Sequence, residues 1–552
     1  MTAFRHPRVP VDRARTATIR AAQALVVLLT MVLAVCAPVQ AAAPPDGLTA
    51  KDWQAIQAQL PVRPMGWDTS GGAIQQAKLT AGDAQTGDYL GYSVAVSGDT
   101  VVVGAYGEDD GGDYAGAAYV FVRSGGVWSQ QARLVAGDAQ ANDQFGLSVA
   151  LDGDTVLIGA YGKSAGAGAA YVFVRSGGVW SQQAKLVAGD AAAYDWFGQS
   201  VALDGDTALV GANGEDDGGI DAGAAYVFVR GGGSWSQQAK LVAGDAAAGD
   251  GFGRSVALDG DTALVGAPYE DEGGSVAGAA YVFVRSGGSW GQQEKLTAAD
   301  TAADDYFGWS VALDGDTALV GAPLEDSVGF DAGAAYVFVR GGGSWSQQAK
   351  LVAGDAAADD YFGWSVALDG DTALVGALRE DDGGSAAGAA YVFVRGGGIW
   401  SQQAKLVAGD AEAWDQFGWS VALDGDTAVV GAPYEDDGGT DAGAAYVFMP
   451  GYAVQAAVSG LAGTGLVLRN NGGDDLAIAA DGSHAFATLL ADGSAYAVTV
   501  ATQPTADPPQ TCTVSGGDND DGSGTMAGAP VTVSVTCATV SYTVTEIGRA
   551  HV

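Results

Sequence analysis

Carboxylates recur along this 552-residue chain in runs of two or three acids. The runs are Glu108-Asp109-Asp110, Glu215-Asp216-Asp217, Glu270-Asp271-Glu272, Glu325-Asp326, Glu380-Asp381-Asp382 and Glu435-Asp436-Asp437. Hard cations take oxygen ligands, so clustered carboxylates on loops could bind Ca²⁺. The alternative is a solvated anionic surface that keeps the protein soluble. As possible calcium ligands we single out Glu108, Asp109, Asp110, Glu215, Asp216, Asp217, Glu270, Asp271, Glu435, Asp436 and Asp437.

Other catalytic groups are scarce. The three histidines are His6, His484 and His551, and none lies between residues 90 and 449. Ser-His-Asp triads and histidine-metal sites are therefore excluded from that region. Paired carboxylates remain, and these can serve a glycosidase.

The elements that must hold the acidic runs are repeated units. The composition, with 48% hydrophobic residues, 16% charged residues and 86 glycines, favours many short strands joined by tight turns. Phe-Gly or Leu-Gly pairs end at glycines 91, 146, 198, 253, 308, 363 and 418, which are 55, 52, 55, 55, 55 and 55 residues apart. In each unit an Asp-Gly or Ser-Gly turn joins two apolar runs, and two more runs follow the acidic loop. Each unit is predicted to be a four-stranded antiparallel meander, and its length is that expected for one propeller blade.

The seventh unit lacks its fourth strand. After AAYVFMP, residues 444–450, no Trp-Ser-Gln-Gln run follows, but a matching run, AIQQAKLTAGD, stands at residues 73–83, before the first unit. A ring of blades must join its first blade to its last or leave open edges. We therefore predict an all-β fold with a seven-bladed β-propeller over residues 66–450, closed by an N-terminal strand. An open solenoid of seven units is the alternative, and it would need end caps.

The Phe-Gly openings, together with Gly-Ala-Pro at residues 266–268, 321–323 and 431–433, resemble FG-GAP repeats. Such repeats build the seven-bladed propeller at the head of integrin α-subunits and of many exported bacterial proteins. The resemblance implies ligand binding on the loop-rich face. Integrin-type repeats also carry a calcium loop, Asp-x-Asp-x-Asp-Gly-x-x-Asp, between the first two strands of a blade. This chain has only a short turn there, such as Asp314-Gly315-Asp316-Thr317, so any Ca²⁺ would have to lie in the Glu-Asp-Asp loops.

A meander places its connections on two faces of the disc. The turn face carries the first-to-second and third-to-fourth turns. There, turn aspartates are predicted to lie beside the arginine that ends each third strand, at positions 123, 175, 230, 285, 340 and 395. The loop face carries the acidic runs and further aspartates between blades. Near-identical loops around a ring give no single asymmetric pocket, which disfavours an enzyme.

The loop face also carries aromatic residues beside the Phe-Gly pairs. Trp196, Tyr306, Tyr361 and Trp414 are predicted to contact a ligand, whereas Trp309, Trp364 and Trp419 either join them or pack in the core. Unit 2 is three residues shorter and places Lys163 where its neighbours have acids. We expect a selective site near units 1 to 3, where the shortened loop opens a notch beside this lone cation.

Beyond Pro450, short alternating runs broken by Gly-containing turns predict a small immunoglobulin-like β-sandwich over residues 451–537. Cys512 and Cys537 are expected to form a disulfide in an oxidising compartment. Residues 538–552 are interpreted as the start of a truncated second module, and their last letters, EIGRAHV, match a translated sequencing adapter.

Residues 1–43 have the features of a secretory signal peptide, because five arginines precede an apolar run and a small-residue cleavage pattern. An uncleaved membrane anchor is the alternative. Residues 44–65 are predicted to be a linker with a short helix. Removing the five arginines and one aspartate of residues 1–43 changes the net charge from −40 to −44, so nucleic acid is not expected as a partner.

These features predict an exported, monomeric, non-catalytic recognition or adhesion protein. It would bind an extracellular protein or glycan on the loop face, and its mature chain would not insert into a membrane. One alternative is a glycan-active hydrolase or lyase that uses loop carboxylates. The other is an inert extracellular scaffold.

Overall fold

A computed structural model of the chain describes Trp67 and residues 71–541. Contacts divide the chain into two units, and the larger, residues 64–394 and 400–552, contains nearly all of what is described. The smaller comprises residues 1–63 and 395–399. The expected signal peptide, the linker and the tail from residue 542 onward lie outside the described residues.

Thirty-five strands and one helical turn make up the described chain. The first strand is β1 (Gly72–Leu79). Blade 1 contains β2 (Ser93–Ser97), β3 (Thr100–Ala105), β4 (Ala117–Ser124) and β5 (Val127–Leu134); blade 2 contains β6 (Val149–Asp152), β7 (Thr155–Ala160), α1 (Lys163–Gly166), β8 (Ala169–Ser176) and β9 (Val179–Leu186); blade 3 contains β10 (Ser200–Asp204), β11 (Thr207–Ala212), β12 (Ala224–Gly231) and β13 (Ser234–Leu241). Blade 4 contains β14 (Ser255–Asp259), β15 (Thr262–Ala267), β16 (Ala279–Ser286) and β17 (Ser289–Leu296); blade 5 contains β18 (Ser310–Asp314), β19 (Thr317–Ala322), β20 (Ala334–Gly341) and β21 (Ser344–Leu351); blade 6 contains β22 (Phe362–Asp369), β23 (Thr372–Ala377), β24 (Ala389–Gly396) and β25 (Ile399–Leu406). Blade 7 contains β26 (Ser420–Asp424), β27 (Thr427–Ala432) and the first part of β28 (Ala444–Ser459); the sandwich adds β29 (Leu466–Asn470), β30 (Asp474–Ile478), β31 (Gly482–Leu490), β32 (Ala495–Thr502), β33 (Gln510–Ser515), β34 (Ser523–Thr525) and β35 (Val531–Thr539).

Blades 1 to 6 are four-stranded sheets whose strands neighbour one another in chain order. The apolar core lies between consecutive blades. In blade 5, Phe307 enters the space between blades 4 and 5 and meets Tyr336 and Phe338 edge-on, with ring centroids 5.6 and 5.9 Å apart. Second strands such as β19 are buried along their whole length, because neighbouring blades cover both of their faces. This explains why TALVGA can be apolar at nearly every position without helical or alternating periodicity.

The seventh blade is completed by β1. This strand pairs antiparallel with β28, with Lys78 opposite Tyr446 and Leu79 opposite Ala445. A bulge between Gln75 and Ala77 repeats the bulge found in the fourth strands of other blades. A parallel bridge between Leu90 and Gly443 joins blade 7 to blade 1, as equivalent bridges join other blades. The predicted seven-bladed ring, closed by the N-terminal strand, is confirmed.

The bulge has a role at six of the seven blade junctions. The bulged residue, Gln76 in β1, accepts a hydrogen bond from the indole Nε1 of Trp128 at 2.8 Å, and Gln75 accepts the backbone N–H of Gly409 at 2.8 Å. The same indole bonds are donated by Trp180, Trp235, Trp290, Trp345 and Trp400 to Gln131, Gln183, Gln238, Gln293 and Gln348. Each outer strand therefore bonds to its neighbours through glutamine amides as well as through apolar packing.

Residues 452 to 539 form the predicted β-sandwich. One sheet has the order β31-β28-β35-β33 and the other has the order β30-β29-β32-β34. Their shared core includes Val454, Leu468 and Val533. The Cys512–Cys537 disulfide forms as expected, between directly opposite residues of β33 and β35. It therefore lies within one sheet, whereas the bridge of antibody domains joins the two sheets.

Candidate functional site

The charges of the turn face are structural, as predicted. Nε of Arg230 lies 2.5 Å from Oδ1 of Asp206, and the guanidinium lies over the ring of Trp235, 5.2 Å from its centroid. The equivalent pairs are Arg123–Asp99, Arg175–Asp154, Arg285–Asp261 and Arg340–Asp316. Asp204 accepts the backbone N–H of Gly260 in the next blade at 2.7 Å. These groups therefore bind one another within and between blades.

The three acids of each loop-face run have different roles. Glu215 is 5% exposed, and its Oε1 accepts the backbone N–H of Asp217 at 3.1 Å. Asp216 accepts the backbone N–H of Asp221 at 2.9 Å, which closes the loop on itself. Asp217 remains exposed. Equivalent buried glutamates are Glu108, Glu270, Glu325, Glu380 and Glu435.

A lysine from the outer strand connects these acids. Nζ of Lys240 in β13 lies 2.8 Å from Asp190, 2.8 Å from Glu215 and 2.6 Å from Asp217. Burial acts to lower the pKa of Lys240, but hydrogen bonds to the three carboxylates outweigh it and raise this pKa above its ordinary value. Burial acts to raise the pKa of Asp190, and the bond to Lys240 brings it below the ordinary value. Because Asp190 follows the outer strand of blade 2, this lysine cluster joins blades 2 and 3.

Similar clusters occur at five of the six other junctions. They are centred on Lys295, Lys350, Lys405 and Lys78, and in blade 1 on Arg133. Lys78 belongs to the closing strand β1 and contacts Asp410, Glu435 and Asp437 at 2.7, 2.8 and 2.6 Å. The strand from the far end of the chain therefore makes the same ion pairs as the other outer strands.

Four of these carboxylate groups could hold a metal ion, since their oxygens lie within 4.8 Å of one another. They are Asp190-Glu215-Asp217, Asp245-Glu270-Glu272, Asp355-Glu380-Asp382 and Asp410-Glu435-Asp437. Each differs from the predicted ligand set, because an aspartate from the preceding blade replaces the middle acid of the run. The middle acids Asp109, Asp216, Asp271 and Asp436 bind loop backbone instead. A lysine ammonium already lies among the oxygens of each group, so a cation would have to displace it.

Blade 2 reverses this charge arrangement. Lys163 is 4% exposed, and its Nζ lies 2.7 Å from Oδ2 of Asp143, which is also 4% exposed on its side chain. The turn α1 is short, and Ser164 and Ala165 have left-handed φ values of 57° and 61°. Because the shortened loop removes the buried glutamate, Lys163 takes its place beside Asp143. The expectation of a lone surface cation at Lys163 is therefore corrected, since this ammonium is buried and paired.

The four aromatic residues predicted to contact a ligand do not form one group. Tyr306 and Tyr361 are half-buried and lie 6.1 and 6.3 Å from the tryptophans that follow their Phe-Gly pairs. Trp196 packs against its own blade, where a Cβ on Gly214 would lie 2.9 Å from the indole. Trp414 is 59% exposed, and its backbone N–H donates to the carbonyl of Ser385 in the loop of blade 6 at 2.9 Å.

The residue after each Phe-Gly or Leu-Gly pair lines the mouth of the central channel on the loop face. These residues are Tyr92, Leu147, Gln199, Arg254, Trp309, Trp364 and Trp419. They surround a cavity of about 230 Å³, which we call the mouth cavity. Trp309, Trp364 and Trp419, for which the sequence left ligand contact and core packing open, lie half-buried at this mouth.

The mouth cavity is asymmetric. Trp309, Trp364, Trp419 and Tyr92 form an aromatic arc, with successive ring centroids 4.7, 5.3 and 5.0 Å apart. The opposite side consists of Leu147, Gln199 and Arg254. The mouth cavity therefore has two different sides, although the acidic loops around the ring are nearly identical.

Arg254 differs from the cations that are repeated from blade to blade. Its guanidinium carbon lies 4.4 Å from the ring centroid of Trp309, where a cation–π contact forms. In the part of the chain that the structure describes, Arg254 has no ion-pair partner, whereas repeated cations such as Lys240 and Arg230 are paired. Burial raises the pKa of Tyr92 to about 12, and the charge of Arg254 across the mouth opposes this rise.

The units differ at this mouth as well as in their loops, whereas several of their strands are unchanged. The run AAYVFVR occurs six times and TALVGA four times without change. The position after Phe-Gly, by contrast, holds five residue types in seven units. This contrast is visible in the sequence and indicates Tyr92, Gln199 and Arg254, which are not among the predicted ligand contacts.

Seven four-stranded blades around a channel, closed by β1, define the chain as a seven-bladed β-propeller followed by a β-sandwich. The FG-GAP repeat pattern matches residues 74–121, 128–173, 180–228, 235–283, 290–338, 345–393 and 400–448, and the chain belongs to the FG-GAP repeat family. Each matched segment begins in an outer strand and ends in the third strand of the next blade. The first segment accordingly begins in β1, which is the outer strand of blade 7. No curated protein matches the chain. Among the described residues, no helix has the length and apolar character needed to cross a bilayer.

Proposed function

We propose that this protein is a non-catalytic recognition protein that binds an extracellular ligand at the mouth cavity on the loop face. The asymmetry of the mouth cavity carries the proposal. A scaffold needs no asymmetric arc of three tryptophans and a tyrosine opposite an arginine that has no ion-pair partner. FG-GAP propellers are commonly used in binding or adhesion, which agrees with this role.

The state of the loop carboxylates supports binding over glycan cleavage. A glycosidase needs one protonated and one ionised carboxyl group that both face the substrate. Here the loop carboxylates bind lysine and loop backbone, and the pKa values of Asp190 and Asp245 lie below their ordinary value. Burial raises the pKa of other loop aspartates such as Asp305, but this side chain is 4% exposed and does not face a substrate. The propeller sequence also contains no histidine.

The proposed location is outside the cytoplasm. The Cys512–Cys537 disulfide supports this, because disulfides persist mainly in oxidising compartments. The arginine-rich and apolar pattern of residues 1–43 is that of an export signal. In this proposal the lysine clusters hold the blades together, and Ca²⁺ binds them only where it displaces an ammonium.

The test is a binding screen of the full chain against arrays of glycans and matrix proteins, followed by two matched variants. Trp419→Leu changes the aromatic arc to the residue type that blade 2 carries at the same position. Trp290→Leu removes an outer-strand tryptophan whose indole bonds to Gln238 at 2.9 Å. We expect Trp419→Leu to abolish specific binding and Trp290→Leu to preserve it. Equal binding by both variants would reject the mouth cavity as the site, and turnover of a glycan would favour an enzyme.

A further inference from the structure

The polar groups of the mouth cavity divide into those that are already bonded and those that are available. The hydroxyls of Ser93, Ser148, Ser200, Ser255, Ser310, Ser365 and Ser420 donate to backbone carbonyls of the adjacent blade at 2.8 to 2.9 Å. The side chains of Gln199 and Arg254 form no hydrogen bond to another described residue. An amide and a guanidinium are therefore available beside the aromatic arc, and the guanidinium lies over Trp309 at one end of the arc.

We infer that the mouth cavity binds a sugar ring that carries one carboxylate, at the end of an oligosaccharide. This inference rests on the proposed function and names its ligand class. The carboxylate pairs with Arg254, whose planar donors match it in bidentate geometry. The apolar C–H face of the ring packs on the aromatic arc, and ring hydroxyls bond to Gln199.

The size of the cavity limits the ligand to about one ring. Its volume of about 230 Å³ is below the roughly 300 to 1,000 Å³ typical of pockets for drug-sized ligands. The cavity opens on the loop face, so the rest of an oligosaccharide leaves over the rim. A single carboxylate also fits the charge of the protein, because a net charge of −40 repels ligands with many negative charges.

A peptide C-terminus fits less well, although it also carries a carboxylate. Terminal carboxylates are ordinarily held by free backbone N–H groups. At this mouth the glycine N–H groups are already used, since those of Gly253 and Gly308 donate to Gly266 and Gly321 at 3.0 Å. Arg254 is left as the available cationic donor for the carboxylate. The aromatic arc recognises the sugar ring to which this carboxylate is attached.

The experiment measures binding of a glucuronate-terminated trisaccharide and its glucose-terminated analogue to the full chain by calorimetry. Arg254→Gln introduces the amide that blade 3 already has at this position, and Arg379→Gln is the matched control. Arg379 lies over the ring of Tyr361, 4.6 Å from its centroid, and is not part of the cavity lining. We expect the acidic trisaccharide to bind about tenfold to a hundredfold tighter than the neutral one, because a hydrogen bond to a charged group is worth about 1.5 to 3 kcal/mol. Arg254→Gln removes this preference, and Arg379→Gln keeps it.

Three results would overturn the inference: equal binding of the two trisaccharides, an unchanged preference in Arg254→Gln, or no binding of either probe. Competition by a peptide with a free C-terminus, but not by glucuronate, would assign the cavity to peptides instead. These failures are distinct from failure of the proposed function. If Trp419→Leu still abolishes binding of another ligand from the arrays, the recognition role stands without the acidic sugar.

Discussion

Replacing Leu79 by alanine tests whether β1 is an integral strand of blade 7. Leu79 is 3% exposed, lies opposite Ala445 and packs between blades 7 and 1. Leu351 in β21 has the same exposure and lies opposite Ala335, so it is a matched reference site within the same molecule. Leu-to-Ala substitutions in cores cost about 2 to 5 kcal/mol. We expect both variants to lose free energy of unfolding within this range, and to differ by less than about 1 kcal/mol.

The assay is urea unfolding of each variant and of the parent, followed by tryptophan fluorescence, with thermal unfolding as a second measurement. The two sites lie in different blades without shared partners, so the double variant should show additive losses. A clear loss in Leu351→Ala with no loss in Leu79→Ala would refute the integral role of β1. Deletion of residues 66–83 provides a stronger perturbation, because it exposes the edge of β28 and should cause aggregation or strand exchange between chains. A deleted chain that stays monomeric and unfolds like the parent would also contradict the closed ring.

Three further predictions concern charged groups. Lys163→Met leaves Asp143 buried without its partner and should lower the free energy of unfolding by about 3 to 5 kcal/mol. Lys185→Met, at a more exposed pair, should lower it by about 0 to 1 kcal/mol. Equal losses in urea unfolding would contradict the buried pairing. Burial, with repulsion from nearby carboxylates, raises the pKa of Asp305 to about 6, so the contribution of Asp305 to stability is present below about pH 4 and is lost as the pH rises through 6. Asp305→Asn should therefore reduce the fall in Tm between pH 4 and 6. An unchanged profile of Tm against pH would argue against this cause. Ca²⁺ should raise the Tm of Lys240→Met more than the Tm of the parent, because the variant frees three carboxylates. An equal rise in Tm in both proteins would show that the ion binds elsewhere.

The sequence predicted the ring and its closure because the repeat made them visible. AIQQAKL before the first unit and AAYVFMP at the end of the last supply the two strands that pair. The lysine clusters were missed because Lys240 and Asp190 are 50 residues apart and belong to different units. The sequence feature that indicates these clusters is the lysine or arginine at the same place in every outer strand. The mouth cavity was not predicted. Ligand contacts were expected next to the acidic loops, which favoured Trp196 and Trp414 over the residues that follow Phe-Gly.

The closing strand also determines when the ring can be completed during synthesis. Leu79 and Ala445, which pair in blade 7, are 366 residues apart in the sequence. At about 5 to 20 residues per second, roughly 20 to 70 s separate their appearance on the ribosome. During this time β1 has no partner, whereas each of blades 1 to 6 gains all four of its own strands as soon as it has been synthesised. A nascent chain that stops before β28 can therefore fold most of its blades, but it cannot bury the edge of β1, which remains a site for chaperones or for β28 of another chain.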